Sequence, residues 1–420
     1  MILFLLFLII NIMYNKYYYI SDLDFDGGVY QSQIIDWLEL FNKNGLNFEL
    51  IQIFQIQSIL KKNHKKQKQK IKNAFSFKTH FWYLFPNVYF FRLFDKYIFY
   101  LYLIRSIYKY PYLVFFSRAD IGGEMVFLKK IYPNKIKFIY DLRGAWVEEH
   151  LWSIKKNNSY SIKQYRNLSR IYYSEFLRQK VADKIFVVSN TLKDYFINHY
   201  NSKAEKFVLY PCLSSSDKFY FDVYLRIQSR EELGFENEDI VFVYSGGVLN
   251  KYHIPDSIIR MFDRISKYES RAKLLLLIKK SSKDLKEQIS NNKNIKLIEG
   301  VPNNKVVDFL NAADYGFLLR ENIILNNVAF PTKFAEYLLS GLPVIISESL
   351  IDCVKYCKKY NSGFVVSNSD VEKIEDFSPK LLINLNFDKN KIAKDAKALL
   401  SKESVINNLV RELKKITLCL

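Results

Sequence analysis

Short apolar runs alternate with longer helical patterns along almost the whole chain, and this alternation most limits how it can fold. In the first half the runs are YYYIS (17–21), FELIQIF (48–54), YLVFFS (112–117), KFIYDL (137–142), KIFVVS (184–189) and KFVLY (206–210). A second series follows: IVFVYSG (240–246), KLLLLIK (273–279), IKLIEG (295–300), YGFLLR (315–320), PVIISE (343–348) and GFVVS (363–367). Most are nearly continuous in apolar residues, as strands covered on both faces must be. Strands of this kind separated by helices predict an α/β fold with parallel sheets.

A chain of 420 residues exceeds one ordinary domain. The two series break at the irregular stretch 211–235, which contains SSSD at 214–217. We expect two doubly wound, Rossmann-like domains, 14–211 and 212–400, with 401–420 as a C-terminal helix packing back on the first. The stretch 388–418 has amphipathic helical spacing. Ligands in such folds bind outside the carboxyl ends of strands. The expected site is a cleft between the domains.

The formal charge is +19, from 62 Lys and Arg against 43 Asp and Glu. Such an excess invites a nucleic-acid or membrane partner. No recognisable nucleic-acid motif is present, so no nucleic-acid partner is expected. Lys, Ile, Asn, Tyr and Phe are abundant together, and most lysines read as solvated. Cys212, Cys353, Cys357 and Cys419 are scattered and read as reduced thiols. The five histidines form no HxxxH or HExxH pattern, so no metal site is expected.

The chain opens MILFLLFLIINIM, shorter than the ~20 residues a spanning helix needs and without the basic start of a signal peptide. It reads either as a membrane-surface anchor or as a start-site error with Met13 as initiator. The basic run KKNHKKQKQKIK (61–72) precedes a segment dense in Phe, Tyr and Trp (81–116). One reading is a solvated loop followed by core helices. The other is a surface resting on anionic lipid.

Four stretches carry candidate chemistry. In DGGVYQSQ, Gly27 and Gly28 follow the first strand and open a helical pattern, as a tight turn or a place of close ligand approach; GxGxxG is absent. In FFSRAD and DLRGAW, Arg118, Asp141 and Arg143 stand at strand ends, suiting an anion or sugar hydroxyls, or an Arg–Asp pair fastening the loop. Gly144 permits the turn there. In YSGGVLNKYH, Gly246 and Gly247 turn after a strand and Lys251 stands near the next helix start, a setting for a diphosphate; the Walker spacing GxxxxGK is absent.

The fourth is FPTKFAEYLLSGLPVI (330–345), a helix running into a strand. With Pro331 as its first residue, Lys333, Glu336, Tyr337 and Ser340 share one face, and Phe334, Ala335, Leu338 and Leu339 the apolar one. Gly341 and Pro343 end it. Phe330 cannot cap it, so the N–H groups near Thr332 and Lys333 lack an obvious partner. An anion would supply one, favoured by roughly 0.3–1 kcal/mol of helix dipole. Glu336, one turn deeper, can accept from ribose hydroxyls. A plain Lys333–Glu336 surface pair is the structural alternative.

Taken in order, ADKIFVVSNTLKDYF (182–196), LYPC (209–212), ELGFENEDIVFVYSGG (232–247), IKLIEGVPNNKVVDFLNAADYGFLLR (295–320) and PTKFAEYLLSGLPVI (331–345) resemble the retaining, family-4-like glycosyltransferases of the GT-B fold, glycosyl transferases group 1. DGGVYQSQ and DLRG resemble that family's first-domain loops more loosely. The resemblance implies a second domain that binds a nucleotide sugar. Gly246, Gly247 and Lys251 would then lie at the diphosphate, and Thr332 and Lys333 near the phosphates. Glu336 would meet the ribose, and Glu299, Gly300 and Val301 would face the base. Gly27, Gly28, Arg118, Asp141 and Arg143 would line the acceptor side. The family's first glutamate is replaced by Val328, and Gly247 replaces a common basic residue.

The implied reaction is retaining sugar transfer, without cofactor or metal, to a glycan or lipid-linked acceptor in bacterial surface-polysaccharide synthesis (capsule or lipopolysaccharide). Lys251, Lys333 and Glu336 would carry it, and domain closure would exclude water. The implied location is the cytoplasm, including the inner face of the cell membrane. A nucleotide-sugar 2-epimerase and a catalytically silent nucleotide-sugar-binding partner are the rival readings.

Overall fold

The computed structural model describes residues 15–25, 28–60, 63–84, 89–156, 161–246, 255–374, 377–380 and 386–418. It divides into two compact units, one reaching Tyr210 and resuming at Ile406, the other spanning Pro211–Val405.

The first unit is built on a seven-stranded parallel sheet. Its strands are β1 (Lys16–Ser21), β2 (Phe48–Gln55), β3 (Thr79–Leu84), β4 (Leu113–Ser117), β5 (Ile136–Leu142), β6 (Lys184–Val187) and β7 (Phe207–Leu209), in the order β3-β2-β1-β4-β5-β6-β7. The registers Tyr17–Phe48 and Tyr17–Val114 place β1 between β2 and β4. The order reverses between β1 and β4, so that crevice is the unit's natural ligand site. Its helices include α1 (Asp36–Lys43), α2 (His64–Ala74), α3 (Tyr89–Lys109), α4 (Gly122–Ile131), α5 (Trp146–Lys156) and α6 (Ile162–Val181).

β3 was not expected: THFWYL runs into the aromatic helix α3 and reads as part of it. It is nevertheless the edge strand of the sheet. The basic run is not a loop but lies largely in helix α2, held by buried His64 and Ile71 at i, i+7. The alternation along β3 separates the two neighbouring helices. His80 and Trp82 meet Tyr102 of α3, whereas Tyr83 meets His64 of α2 and Lys68 lies 4.6 Å from the Phe81 ring centre. The lysine-rich helix and the aromatic helix therefore cover opposite faces of the sheet and form no common surface.

The second unit carries six parallel strands: β8 (Ile240–Gly246), β9 (Ala272–Ile278), β10 (Ile295–Glu299), β11 (Tyr315–Leu318), β12 (Val344–Ser347) and β13 (Gly363–Val366), in the order β10-β9-β8-β11-β12-β13. Here the order reverses between β8 and β11. Phe242, Phe262, Phe317 and Ile345 are fully buried in its core. Each such side chain contributes roughly 1.5–3 kcal/mol by leaving water.

Helices α7 (Val223–Leu233), α8 (Thr332–Leu339), α9 (Ile351–Tyr360) and α10 (Lys389–Leu399) surround this sheet. Asp314, just ahead of β11, is clamped by Arg226 at 2.6 Å and Arg230 at 3.2 Å, and accepts from the Val241 N–H at 2.9 Å. Lys389 donates to the neighbouring Ala313 carbonyl at 2.8 Å. This knot fixes α7 and α10 to the starts of β8 and β11.

The stretch 388–418 is not one helix. It breaks at Leu400, and Ser401 accepts from the Ser404 N–H to start α11 (Lys402–Leu418). From Ile406 onward α11 belongs to the first unit, where Thr417 bonds Tyr17.

Candidate functional site

The strongest cluster forms at the β8–β11 crevice of the second unit, around α8. Pro331 is not the first helical residue, one position earlier than the structure allows. It holds the N-cap place, with extended backbone and no capping side chain. The helix ends in a Schellman-type turn, with Leu342 N–H donating to Tyr337 O and Gly341 at φ +66°.

Tyr337 is not on a polar face. Its ring is fully buried, and its hydroxyl accepts the Ser245 N–H at 2.8 Å. The ring passes over β11 so closely that a Cβ on Gly316 would lie 2.5 Å from it. Tyr337 thus pins α8 to the end of β8. With Phe334, Ala335, Leu338, Leu339 and Ser340 also buried, only the edge bearing Lys333 and Glu336 keeps solvent contact.

Lys333 lies directly against the end of β8. A Cβ on Gly246 would come 2.8 Å from Lys333 Cε and 2.9 Å from the Tyr244 hydroxyl. Burial pushes the Lys333 pKa down, Arg320 pushes it further, and Glu336 opposes both. Arg320 follows β11, its N–H donating to Ser347 Oγ and its carbonyl accepting from Ser349 Oγ. Burial lowers its pKa also. The Tyr244 hydroxyl, pushed up to about 12 by burial, stays protonated as a donor.

Burial raises the Glu336 pKa, against the opposing pull of Lys333, Lys402 and Ser214. The Ser214 hydroxyl approaches Glu336 Oε1 at 3.5 Å. Lys402 is 1% exposed, and its N–H donates to the Ser214 carbonyl at 3.0 Å. Ser215 and Ser216 are in turn bound by Glu403 at 2.5 and 3.0 Å. The irregular SSSD stretch is therefore a wall of this site. Among the described residues, Lys333 stands next to both Arg320 and Glu336, Lys402 stands next to Glu336, and the other carboxylate of the site, Glu403, is taken up by Ser215 and Ser216. That excess of positive charge in a low-dielectric pocket suits an anion.

Arg320, Lys402, Ser214 and Tyr244 were not found from the sequence. Arg320 ends the run YGFLLR, and basic residues at strand ends were the available signal. Nothing in the sequence marks Lys402.

Gly247 and Lys251 lie outside the described residues. Glu299, Gly300 and Val301 end β10, two strands from β8, roughly 10 Å at ordinary strand spacing. Gly300 adopts φ +70° and so fills its turn without strain. The Glu299 carboxylate is taken up by Lys286 at 2.8 Å and by the Ser281 N–H at 2.7 Å, which hold its pKa at about 2. Val328 is 2% exposed, an apolar residue where the resemblance places a carboxylate.

In the first unit, Gly27 lies outside the described residues, and Gly28 is exposed where a helical turn begins. Arg118 follows β4 at the β1–β4 crevice and donates to Gln33 Oε1 at 2.9 Å. Arg143 is bound within the loop. Its Nε lies 2.6 Å from Asp141 Oδ1, and its guanidinium lies 4.2 Å from the Tyr210 ring centre. Tyr19 donates to the other Asp141 oxygen. The fastening of the loop is thus observed directly. Gly144 does not earn its place by conformation, since its φ is not left-handed and a Cβ would meet nothing.

The sequence reading missed Arg178 and Glu175 of α6. Arg178 is buried between Tyr140 and Trp146, at 4.6 and 4.8 Å from their ring centres. Glu175 accepts from the N–H groups of Trp146 and Val147, capping α5, and from the Tyr200 hydroxyl at 2.7 Å.

Residues 226–398 match the family Glycosyl transferases group 1. No curated protein is significantly similar to the chain in sequence. Among solved structures, the chain is similar to Anabaena Alr3699/HepE in complex with UDP and glucose (12% identity, TM-score 0.63, 95% of this chain and 99% of that one). It is similar to sucrose-phosphate synthase from Thermosynechococcus elongatus (12%, 0.62, 96% and 99%). It is also similar to WaaG, a glycosyltransferase involved in lipopolysaccharide biosynthesis (14%, 0.54, 93% and 99%). At these identities the likeness establishes the fold, which is GT-B: two Rossmann-like domains on parallel sheets.

Proposed function

We propose that the protein is a retaining glycosyltransferase that moves a sugar from a nucleotide-diphosphate sugar to a glycan or lipid-linked acceptor. The observation that carries this reading is the placement of Lys333 against Gly246. It puts an ammonium at the uncapped start of α8 and at the carboxyl end of β8, with Arg320 beside it and Glu336 one turn deeper. The match of residues 226–398 to Glycosyl transferases group 1 and the UDP bound by the similar Alr3699/HepE support the same assignment.

Lys333 and Arg320 hold the diphosphate and stabilise the charge that develops on it as the glycosidic bond breaks. Glu336, held by Lys333 and Lys402, accepts from the ribose hydroxyls. The Tyr244 hydroxyl supplies a further neutral donor. Gly247 and Lys251 complete the diphosphate site, Thr332 adds to it, and Glu299, Gly300 and Val301 bound the base. The acceptor binds the first unit near Gly28, Arg118 and the Asp141–Arg143 pair. The reaction needs neither metal nor resident cofactor. Its setting is cell-surface polysaccharide synthesis at the cytoplasmic side of a bacterial membrane, in keeping with the role given for WaaG.

Buried Val328 favours a second reading, a nucleotide-sugar binder without turnover, because the residue that would meet the donor sugar is apolar. One experiment separates the two. Purified protein is incubated with a panel of nucleotide sugars in EDTA, with released nucleoside diphosphate measured and the anomeric configuration of any product assigned by NMR. Release with retention supports the transferase. Thermal stabilisation by a nucleotide sugar without release supports the silent binder. Stabilisation by none of the panel defeats both.

A further inference from the structure

The first unit has an exposed helical face that sugar transfer does not use. Helices α3, α4 and α6 lie side by side on the sheet face opposite α2; Tyr97 and Tyr100 of α3 meet Phe127 of α4, and α4 packs against α6. Their outward side is apolar to an unusual degree. Leu101 and Tyr108 of α3 are 61% and 72% exposed, and Ile162 and Tyr173 of α6 are 74% and 63% exposed. Ile131 and Tyr165 are exposed between and beside them. On α6 the positions 162, 165, 166 and 173 fall on one helical face, so the apolar groups form a stripe.

The charges on this face have one sign. Arg105, Lys130, Arg166 and Arg170 are exposed. The acids of α4 and α6, Glu124 and Glu175, are buried, and α3 has none from Tyr97 to its end. An apolar, tyrosine-rich surface on which the described residues of these three helices expose cations and no acid matches an anionic bilayer; Glu149 of α5, which packs against α6, is the exposed acid next to it. Tyrosine rings suit the headgroup level, and basic side chains are drawn to negative lipid. An isolated patch of this kind would otherwise promote aggregation. Among the described residues no helix is long and apolar enough to cross a membrane.

We propose that the α3–α4–α6 face docks the protein on an anionic lipid surface, with Tyr108, Tyr165 and Tyr173 at headgroup depth. The proposal assigns this role to these helices and not to the lysine-rich α2 on the other side of the sheet. It does not depend on the sugar-transfer reading.

The test is flotation of the full chain with vesicles of phosphatidylcholine alone or with one-third phosphatidylglycerol, at low and high salt. Binding is expected only with phosphatidylglycerol and should weaken with salt. Each basic residue at such a surface is worth roughly a factor of five, so Arg166→Glu with Arg170→Glu should weaken binding by more than about tenfold. Leu101→Ser with Tyr173→Ser should weaken it at all salt concentrations. These side chains are exposed, and unchanged melting temperatures would confirm that the variants fold. Lys65→Glu with Lys66→Glu and Lys70→Glu on α2 should have a much smaller effect. The proposal fails if anionic vesicles are not bound at low salt, or if the α2 variant abolishes binding and the α6 variant does not. It also fails if the chain forms dimers that Leu101→Ser with Tyr173→Ser dissociates, since the face would then be a protein interface.

Discussion

Lys333 and Gly246 are in contact: no side chain fits at position 246 without displacing the lysine's Cε, 2.8 Å from where a Cβ would stand. The atoms that must move are the flexible end of Lys333, in the candidate site, and the hydroxyl tip of Tyr244, whose buried ring belongs to the core. Gly246→Ala should therefore lower nucleoside-diphosphate affinity by tenfold or more, at a smaller cost in stability than a Cβ at Gly316. Gly316→Ala is the contrast. There the obstruction is the buried Tyr337 ring at 2.5 Å, and overpacking should cost about 1–3 kcal/mol of stability. Calorimetric titration with UDP and thermal melts of both variants check the pair.

Under the proposed function, Lys333→Ala and Arg320→Gln should each weaken nucleoside-diphosphate binding by about ten- to a hundredfold, the loss of a charge-assisted contact worth roughly 1.5–3 kcal/mol. Glu336→Gln should affect ribose-bearing ligands but not inorganic pyrophosphate. Equal losses for UDP and pyrophosphate in Glu336→Gln would remove the ribose assignment. Wild-type turnover in Lys333→Ala would remove the diphosphate assignment.

The strands were legible because parallel strands buried on both faces read as continuous apolar runs, and the residues from Ile240 to Gly246 show this plainly. β3 was not legible because an edge strand flanked by an aromatic helix has no compositional boundary. The helix over the basic run was hidden because His64 and Ile71 are its only buried residues. In the site, α8 could be read because its uncapped start and its Lys–Glu spacing are local. Lys402 and Ser214 could not, because they meet Glu336 only through the return of the chain after α10. Arg143 was legible as a strand-end arginine within reach of Asp141, but its place over the Tyr210 ring was not, because Tyr210 lies far along the chain.

Under the proposed function, the site's protonation should give nucleotide binding a defined pH dependence. Burial lowers the Lys333 pKa in the free protein, and a diphosphate beside it favours the ammonium, raising it again. Between the free and bound values, binding takes up a proton, so affinity is full below the free pKa and falls as pH rises through it. Burial raises the Glu336 pKa, and ribose hydroxyls favour its carboxylate, so affinity falls on the acid side as the group protonates. A bell-shaped profile should result. Lys333→Met should flatten the alkaline limb and move the acid limb to higher pH, and Glu336→Gln should flatten the acid limb and move the alkaline limb to lower pH, because each group holds the other charged. Titrations in buffers of different ionisation enthalpy count the proton directly.

Asp314 should matter for stability more than for binding. Its carboxylate accepts from Arg226, Arg230 and the Val241 N–H, and Lys389, whose pKa burial lowers to about 7, lies 3.8 Å away. Asp314→Ala leaves three cations facing each other at the base of β8 and β11. Removing one partner of such a network costs roughly 3 kcal/mol, because the remaining charges lose their compensation. Lys389 partly relieves this by shedding its proton, since its pKa should fall further once Asp314 no longer raises it. The variant should therefore be most destabilised relative to wild type at acid pH, where Lys389 stays charged, and recover in part as pH rises toward about 7, above which Lys389 is neutral in both proteins and the difference levels off. Urea unfolding of wild type and Asp314→Ala across that range checks the sign. A destabilisation that grows with pH would show that Asp314 does not compensate these cations.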